Sequence, residues 1–214
     1  MIFYDIYSDV PDEVLGQFVA SQQLGRLVTS TLDGQPHIGL YPFVFLGPTI
    51  EMHLHRDDEQ LADLRVNPKC AFEVGEMLGT IPSHWIHPTN AVYATAYYRT
   101  VIFECEVTIS DDLSVLAAQQ QRLMEHYQPG GGFQALNAED PMYRNPLNTI
   151  VALRLTVRVR KVKWKLAQNR DRETRAKVIG HLREREAGAD RAAADALQWT
   201  LDYESAKQGS STTC

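Results

Sequence analysis

The segment HLHRDDEQ, at residues 53–60, holds the densest group of side chains that could bind an anion. Its pattern predicts a strand that ends near Arg56 and leads directly into the N-terminus of a helix. Free backbone N–H groups, the positive end of the helix dipole and a guanidinium would then converge, as a phosphate requires. The three carboxylates after Arg56 argue against a bare anion site, although carboxylates also cap helices well. An ordinary helix cap is therefore the alternative.

His53 and His55 lie two residues apart in this segment, so a strand would place both rings on one face. Two such imidazoles could chelate a metal ion if His37 or Glu51 supplied a third ligand. A bare His-x-His pair is a weak signal, and histidines that line a barrel or contact a phosphate are the favoured interpretation. We therefore predict no metal site.

A second dense segment, KWKLAQNR, covers residues 163–170 at the end of a predicted strand. Gln168 and Asn169 can each donate and accept hydrogen bonds, which suits the pyrimidine edge of a ring system. Lysine and arginine suit a phosphate, or the negative charge that develops on a reduced ring. The alternative, which composition alone favours slightly, is a strand end followed by an amphipathic cap.

Several familiar chemical motifs are absent from the sequence. There is no G-x-x-x-x-G-K-[ST] or G-x-G-x-x-G nucleotide loop, no C-x-x-C pair and no H-E-x-x-H metal motif. The absence of a G-x-S-x-G elbow disfavours a hydrolase. No side chain stands out as an acid or base, so no catalytic residue is predicted.

The elements that must position these residues are mostly strands. Alternating hydrophobicity predicts strands at 25–31, 36–46, 49–55, 70–76, 98–109 and 148–166, with a hairpin turn at Asp33-Gly34 and an edge or bulge at Pro42. Helical spacing predicts helices at 11–23, 56–66, 112–127, 171–186 and 189–201. Residues 77–97 and 129–148 are predicted to be loops, and 207–214 a frayed tail. This pattern favours a mainly β fold, a small closed barrel with peripheral and C-terminal helices.

Composition restricts the class of protein. The 214 residues are 44% hydrophobic and 22% charged, which excludes a disordered chain and allows one sizeable core. No apolar run is long enough for a membrane-spanning helix, and the N-terminus does not resemble a signal peptide. The three cysteines, Cys70, Cys105 and Cys214, do not form a disulfide framework, so we expect a cytoplasmic protein.

Charge is unevenly distributed along the chain. Residues 1–153 carry 7 basic and 19 acidic side chains, whereas residues 154–191 carry 13 basic and 5 acidic ones. A basic segment in an acidic protein can mark a phosphate, nucleic-acid or acidic-partner site. The favoured alternative is that it matches the acidic body of the same chain or of a second subunit.

The order of these segments resembles the FMN-binding split-barrel superfamily, which has the pyridoxamine-phosphate-oxidase-like fold. GRLVTSTLDGQPHIGLYPFVF and EMHLHRDDEQLADLRVNPKCAFEV carry the superfamily order of strands, hairpin and helix. KVKWKLAQNRDRETRAKVIGHL and PSHWIHP resemble the PaiB-type branch, described as FMN-binding negative transcriptional regulators. YRTVIFECEVTISDD and LMEHYQPGGG are similar to nitroimidazole-resistance flavoproteins. The resemblance covers about residues 10–185.

The resemblance implies a Greek-key split β-barrel over residues 1–170, with a C-terminal helical extension over 171–205 packed on the barrel or on a dimer partner. It implies a homodimer with FMN at the subunit interface. The implied contacts are His53, Arg56 and Gln60 for the phosphate, Leu40, Tyr41 and Pro42 for the ring, Lys165, Gln168 and Asn169 from the C-terminal string, and Trp85 and Tyr98 from the partner subunit. Where relatives have Ala-Asn-Pro after the arginine and Trp-Asn-Tyr further on, this chain has Asp57-Asp58-Glu59 and Ala96-Tyr97-Tyr98.

Three functions follow as alternatives. The favoured one is a flavoprotein oxidoreductase acting on a small-molecule substrate, in which FMN carries the electron chemistry. The second is a PaiB-like transcriptional regulator whose basic segment faces DNA, although no helix-turn-helix is readable. The third is a haem-binding or haem-degrading protein with His53, His55, His84 or His87 as an axial ligand.

Overall fold

A computed structural model describes residues 1–211 of the chain. Its helices are α1 Asp5–Ser8, α2 Asp12–Ser21, α3 Glu59–Val66, α4 Leu113–Tyr127, α5 Pro141–Leu147, α6 Arg172–Arg185 and α7 Asp190–Ser211. Its strands are β1 Gly25–Ser30, β2 Pro36–Tyr41, β3 Val44–Phe45, β4 Thr49–His55, β5 Lys69–Ile81, β6 Thr95–Ser110 and β7 Ile150–Lys165. Two 3₁₀ turns, Ser83–Trp85 and Ala91–Tyr93, lie between β5 and β6.

The strands form one sheet in the order β2-β1-β5-β6-β7-β4-β3, and β1, β3 and β4 pair antiparallel with their neighbours. The chain divides into two compact units. The barrel unit comprises Pro11–Val74 and Val101–Lys161, and therefore contains all of β1 to β4. The helical unit comprises Met1–Val10, Gly75–Thr100 and the chain from Val162 onward. The predicted domain boundary near residue 170 stays a prediction.

The connection between β2 and β3 explains why the sheet closes. These strands stand at opposite ends of the sheet order, yet only Pro42 and Phe43 separate them. Three steps along the chain reach at most about 11 Å. In a flat sheet, seven strands spaced about 4.8 Å apart would put the edges about 29 Å apart. The sheet therefore has to curl into a barrel, as the sequence predicted.

The core of the barrel unit follows the strand alternation. Ile50, Met52 and Leu54 of β4 are buried together with Val151, Leu153 and Leu155 of β7. On the other face of these strands α4 packs Leu116 and Ala117 against Ala152. Gln119 of α4 donates from Nε2 to the backbone oxygen of Leu153 at 3.0 Å.

In the helical unit α6 and α7 pack against each other around a buried arginine. The Arg175 side chain is 4% exposed, and its guanidinium contacts both carboxylate oxygens of Glu204. Arg175 also donates to Thr200 Oγ1 at 3.1 Å. Within residues 1–211 no helix is long and apolar enough to cross a membrane.

The strand predicted over 36–46 is confirmed on both sides of Pro42 but not as one strand, because Pro42 has no N–H for a sheet ladder and divides it into β2 and β3. The predicted helix over 56–66 begins later, at Glu59, after a turn that contains Arg56. The loop prediction over 129–148 missed α5, which begins with an Asp140 cap and Pro141 in its first turn.

The boundaries of two further predictions were misplaced. The loop predicted over 77–97 loses residues at both ends, because β5 continues to Ile81 and β6 begins at Thr95. The last helix was predicted to end near Leu201, but α7 continues to Ser211. The predicted frayed tail is therefore helical to that point, and the rest of it, with Cys214, lies outside the described residues.

We expect Arg175→Met to lower the free energy of unfolding by about 2–3 kcal/mol, because the Glu204 carboxylate loses its partner beside a buried apolar side chain. Arg172→Met is the matched control on the same helix, and its half-exposed side chain predicts a change of about 0.5 kcal/mol or less. Urea unfolding followed by circular dichroism measures both. Equal effects of the two substitutions would contradict the prediction.

Candidate functional site

The predicted phosphate segment at the start of α3 is occupied by groups of the chain itself. Asp58 caps the helix, and its Oδ1 accepts from the backbone N–H of Gln60 at 2.9 Å. The Arg56 guanidinium donates from Nε to the backbone oxygen of Asn148 at 2.6 Å and pairs with Asp111. A phosphate would have to displace both carboxylates. The phosphate contact of Arg56 stays a prediction.

Gln60 is a buried connector between α3 and the first hairpin. Its Nε2 lies within 3.3 Å of three acceptors, the Leu27 and His37 backbone oxygens and Thr29 Oγ1. Only 2% of the residue is exposed. These contacts give Gln60 a structural role, which the sequence did not predict.

Tyr41, a predicted contact of the flavin ring, is the last residue of β2, and its side chain contacts the start of α3. Its Oη is 2.8 Å from both Asp58 Oδ2 and Gln60 Oε1, so one phenolic proton serves two acceptors. Burial and the hydrogen bond to Asp58 raise the pKa of Tyr41. A Cβ on Gly39 would lie 2.3 Å from the Tyr41 side chain, so glycine at that position makes room for the ring.

The other two predicted ring contacts lie close by in the chain. Leu40 is 57% exposed on β2, at one edge of the sheet order, next to an equally apolar and exposed Ile38. Pro42 stands between β2 and β3, and the following N–H, that of Phe43, donates to Tyr127 Oη at 3.1 Å. The exposed edge of β2 is therefore apolar.

His53 contacts α4, and its predicted contact with the phosphate stays a prediction. Its Nδ1 is 3.0 Å from Gln120 Nε2, and an amide nitrogen can only donate, so Nδ1 accepts and the ring proton lies on Nε2. Burial lowers the pKa of His53. Within residues 1–211 no hydrogen bond joins any two of His53, Arg56 and Gln60, and no group of three His, Cys, Asp or Glu residues could hold a metal ion.

Six of the thirteen basic residues in the basic segment form ion pairs of 2.8 Å or less within the chain. In the barrel unit the pairs are Arg154–Glu51, Arg158–Glu106, Arg160–Asp12 and Lys161–Glu104. In the helical unit they are Arg175–Glu204 and Arg185–Asp190. These contacts favour the interpretation that the segment matches the acidic residues of its own chain.

The end of β7 forms part of a small cationic cavity in the helical unit. The cavity has a volume of about 240 Å³, and Lys165, Asn169 and Arg170 line it together with Thr95 and Tyr97. Its lining contains no carboxylate within the described residues. Two of the three C-terminal contacts implied by the resemblance, Lys165 and Asn169, therefore face one cavity, which suits an anionic or electron-rich group.

The backbone of this cavity turns at Ala167, which has a φ of 65°. Such a left-handed conformation is strained for a residue with a Cβ. Gln168, the third implied contact, supports the turn: its Nε2 donates to the Trp164 oxygen at 2.7 Å, and its Oε1 accepts from the Leu166 N–H at 2.7 Å. Gln168 thus braces the loop with its own amide.

Lys165 is the most perturbed cation of the cavity. Its Nζ donates to Thr95 Oγ1 at 2.6 Å. Burial lowers the pKa of Lys165, and the positive charges of Lys163 and Arg170 lower it further. Burial also raises the pKa of Tyr97 to about 12, although Arg170 opposes that shift. An anion in the cavity would relieve the repulsion between the cations.

Sequence reasoning missed the three other polar residues of the lining, Thr95, Tyr97 and Arg170. Arg170 stacks on the Tyr93 ring, with its Cζ 4.7 Å from the ring centroid. The arginine was within the segment KWKLAQNR, so its charge was a usable signal. Nothing in the spacing of Thr95 and Tyr97 connects them to residues seventy positions later.

The two residues expected from the partner subunit lie in the helical unit. Trp85 contacts α6 through its ring, with the His181 ring centroid at 5.0 Å and Arg185 Cζ at 4.6 Å. Tyr98 is half-buried on β6 and lies near Tyr7, whose pKa is raised by burial first and by Tyr98 in addition. Their contact with a flavin stays a prediction.

Comparison with known proteins identifies the family of the chain. A family model described as "Putative FMN-binding domain" matches residues 1–159. No curated protein sequence matches the chain. The match includes Thr95 and Tyr97 of the cationic cavity and ends before Lys165, Asn169 and Arg170.

Three solved structures share the fold. A conserved hypothetical protein from Mycobacterium tuberculosis is 20% identical, with a TM-score of 0.57 over 77% of this chain and 90% of that one. A "putative 5-nitroimidazole antibiotic resistance protein" from Bacteroides thetaiotaomicron is 13% identical, with a TM-score of 0.57 over 76% and 86%. The flavocytochrome Anf3 from Azotobacter vinelandii is 14% identical, with a TM-score of 0.64 over 82% and 78%. At these identities the likeness is one of fold, and it confirms the split-barrel prediction.

We expect Gly39→Ala to displace the Tyr41 ring, because the new methyl group would overlap it. Released from burial and from Asp58, the phenol should ionise at a lower pH than in the wild type. Ultraviolet titration of tyrosinate measures this, with Tyr41→Phe identifying the contribution. Gly16→Ala is the control, since nothing lies within 4 Å of its added Cβ. Titration curves for Gly39→Ala and wild type that coincide would show the prediction to be wrong.

Proposed function

Since the chain belongs to the PaiB-type family of putative FMN-binding domains over residues 1–159, we propose that it is an FMN-binding flavoprotein. The proposal extends to an oxidoreductase that acts on a small molecule. The fold is that of a split barrel, and a flavocytochrome is among the structures that share it.

The observation that carries the proposal is the cationic cavity of the helical unit. Lys165 and Arg170 provide positive charge, and the Asn169 side chain is exposed with no hydrogen-bond partner among the described residues. A volume of about 240 Å³ is below the roughly 300–1,000 Å³ of a complete ligand site. The cavity would therefore hold one polar part of FMN rather than the whole molecule.

The donor set fits the pyrimidine edge of the flavin best. Asn169 can donate and accept along such an edge, and Lys165 supplies a charged donor held by Thr95. Bound FMN would supply hydride or electron transfer. Lys165 would stabilise negative charge on the ring, and Gln168 would keep the Ala167 turn in place.

A homodimer is part of the same proposal. The exposed apolar residues Ile38 and Leu40 lie on β2, an edge strand in the sheet order. Proteins usually protect such edges with charges or cover them. A second copy of the chain that covers this edge would place the predicted ring contacts, Leu40, Tyr41 and Pro42, at a subunit interface.

The two other functions have weaker support. The four basic residues Arg154, Arg158, Arg160 and Lys161 of β7 are paired with carboxylates of the chain, which argues against a DNA contact through that strand. Haem is favoured by the flavocytochrome neighbour. However, His87 Nδ1 accepts from the Thr89 and Asn90 N–H groups, so His87, like His53, carries its proton on Nε2 and has no lone pair there for iron.

We expect Lys165→Met to weaken FMN binding about 10- to 100-fold, because a charged hydrogen bond to the flavin contributes roughly 1.5–3 kcal/mol. Titration of the flavin-free protein with FMN, followed by flavin fluorescence, measures the affinity. Lys163→Met is the matched control: it lies two residues earlier on the same strand but donates to the Ile2 oxygen instead.

Each outcome of this titration is decisive. Loss of affinity in Lys165→Met alone supports the assignment of the cavity, and equal loss in both variants assigns the effect to general charge. Wild-type protein that takes up no FMN refutes the proposed function. A Soret band in the purified wild type would promote haem instead.

The pH dependence of FMN binding should reveal the perturbed lysine. FMN binds the protonated amine, so affinity should fall as pH rises through the Lys165 pKa, which lies below that of an ordinary lysine. Lys165→Arg keeps its charge over this range and should hold its affinity to higher pH. Ionisation of the flavin itself affects both proteins equally. Parallel curves for the two proteins would exclude Lys165 as the titrating group.

A further inference from the structure

Cys70 of β5 and Cys105 of β6 lie opposite each other in the barrel unit. Strands β5 and β6 are neighbours in the sheet. Pro68 directly precedes β5, and its backbone oxygen accepts a hydrogen bond from the Val107 N–H of β6 at 2.8 Å. In an antiparallel pair, two steps forward on one strand meet two steps back on the other, which sets Cys70 against Cys105. A side-chain hydrogen bond with Cys105 raises the pKa of Cys70, which agrees with this register.

The spacing of the two backbones suits a disulfide. A hydrogen-bonded antiparallel pair has Cα atoms about 5.5 Å apart, and disulfides span Cα separations of about 4.4–6.8 Å. Both cysteines are free thiols here. Closing the bond would therefore need side-chain rotation but no separation of the strands.

Both thiols line the same cavity. It has a volume of about 610 Å³, and apolar groups of Val28, Pro36 and Ala71 form part of its wall. This is large enough for a small organic molecule. A reagent in the cavity would reach both cysteines from one side.

The two cysteines differ in exposure. Cys70 is partly exposed, whereas Cys105 is 4% exposed. Cys70 therefore offers an incoming reagent more accessible surface than Cys105. This asymmetry matches the division of labour between an attacking and a resolving thiol.

We propose that Cys70 and Cys105 are a reversible dithiol–disulfide site that reacts with low-molecular-weight disulfides. The Cys70 thiolate attacks one sulfur of the reagent, forms a mixed disulfide and releases one thiolate. Cys105 then loses its proton and attacks the Cys70 sulfur, which forms the Cys70–Cys105 bond and releases the second thiol. The protein thiols lose two electrons, and the reagent disulfide gains them.

The contact between the thiols sets the pace of this reaction. The hydrogen bond to Cys105 and burial raise the pKa of Cys70, so little thiolate is present at neutral pH. The exchange is accordingly slow, and its equilibrium position is the quantity to measure. The site does not depend on the proposed flavin function.

The experiment equilibrates the full chain with mixtures of reduced and oxidised glutathione, then traps free thiols with an alkylating tag. Peptide mass spectrometry should identify a Cys70–Cys105 disulfide that returns to two thiols in reducing buffer. A Cys214→Ser background removes the third thiol. Since both partners are in one chain, half-oxidation should need about tenfold less glutathione disulfide than half-modification of Cys70 in Cys105→Ser.

Two single variants test the roles. Cys105→Ser should accumulate glutathione on Cys70, whereas Cys70→Ser should leave Cys105 free. The proposal is overturned if wild-type Cys70 stops at the mixed disulfide, or if both thiols stay free in the most oxidising mixture. Modification of Cys105 in Cys70→Ser as readily as Cys70 in Cys105→Ser would overturn the assigned order.

Discussion

The shortness of one connection shapes the barrel unit. Because Pro42 and Phe43 alone join strands from the two edges of the sheet, seven strands have to curl, and the inward side chains have to fill the space they enclose. The same connection is tied down by the Tyr127 hydroxyl, which accepts from the Phe43 N–H and donates to the Gln23 oxygen at 2.5 Å. The end of α4, the end of α2 and the closure of the sheet therefore depend on one phenol.

Many charged side chains of this protein form ion pairs with one another. The basic face of β7 meets acidic side chains of its own unit, and Arg175 and Glu204 do the same between α6 and α7. Lys165 and Arg170 stand apart because the cavity that they line holds no carboxylate among the described residues. An uncompensated positive site in a chain with an excess of acidic residues is a better indication of a ligand than the basic segment as a whole.

The sequence was informative wherever a local rule decides the structure. Alternation in residues 148–166 gave β7, and Asp33-Gly34 gave the first hairpin, because both follow from backbone geometry. Contacts between segments far apart in the chain could not be predicted from the sequence. The closeness of Thr95 to Lys165, and of Cys70 to Cys105, depends on strand register, which no spacing along the chain records. The signal for α5, Asp140 followed by Pro141, was present but hidden in a polar stretch.

The use of aspartate to cap helix N-termini makes the fold sensitive to acid. Asp112 caps α4 in the barrel unit, and Asp171 caps α6 in the helical unit. Hydrogen bonds from Ser114 and Thr174 respectively lower the pKa of these two carboxyls below the ordinary value. The stabilisation is complete above the pKa of the unfolded chain and is lost as pH falls through the lower, folded pKa. Both units therefore share one acid-sensitive device, which weakens only when the pH falls below the ordinary pKa of an aspartate.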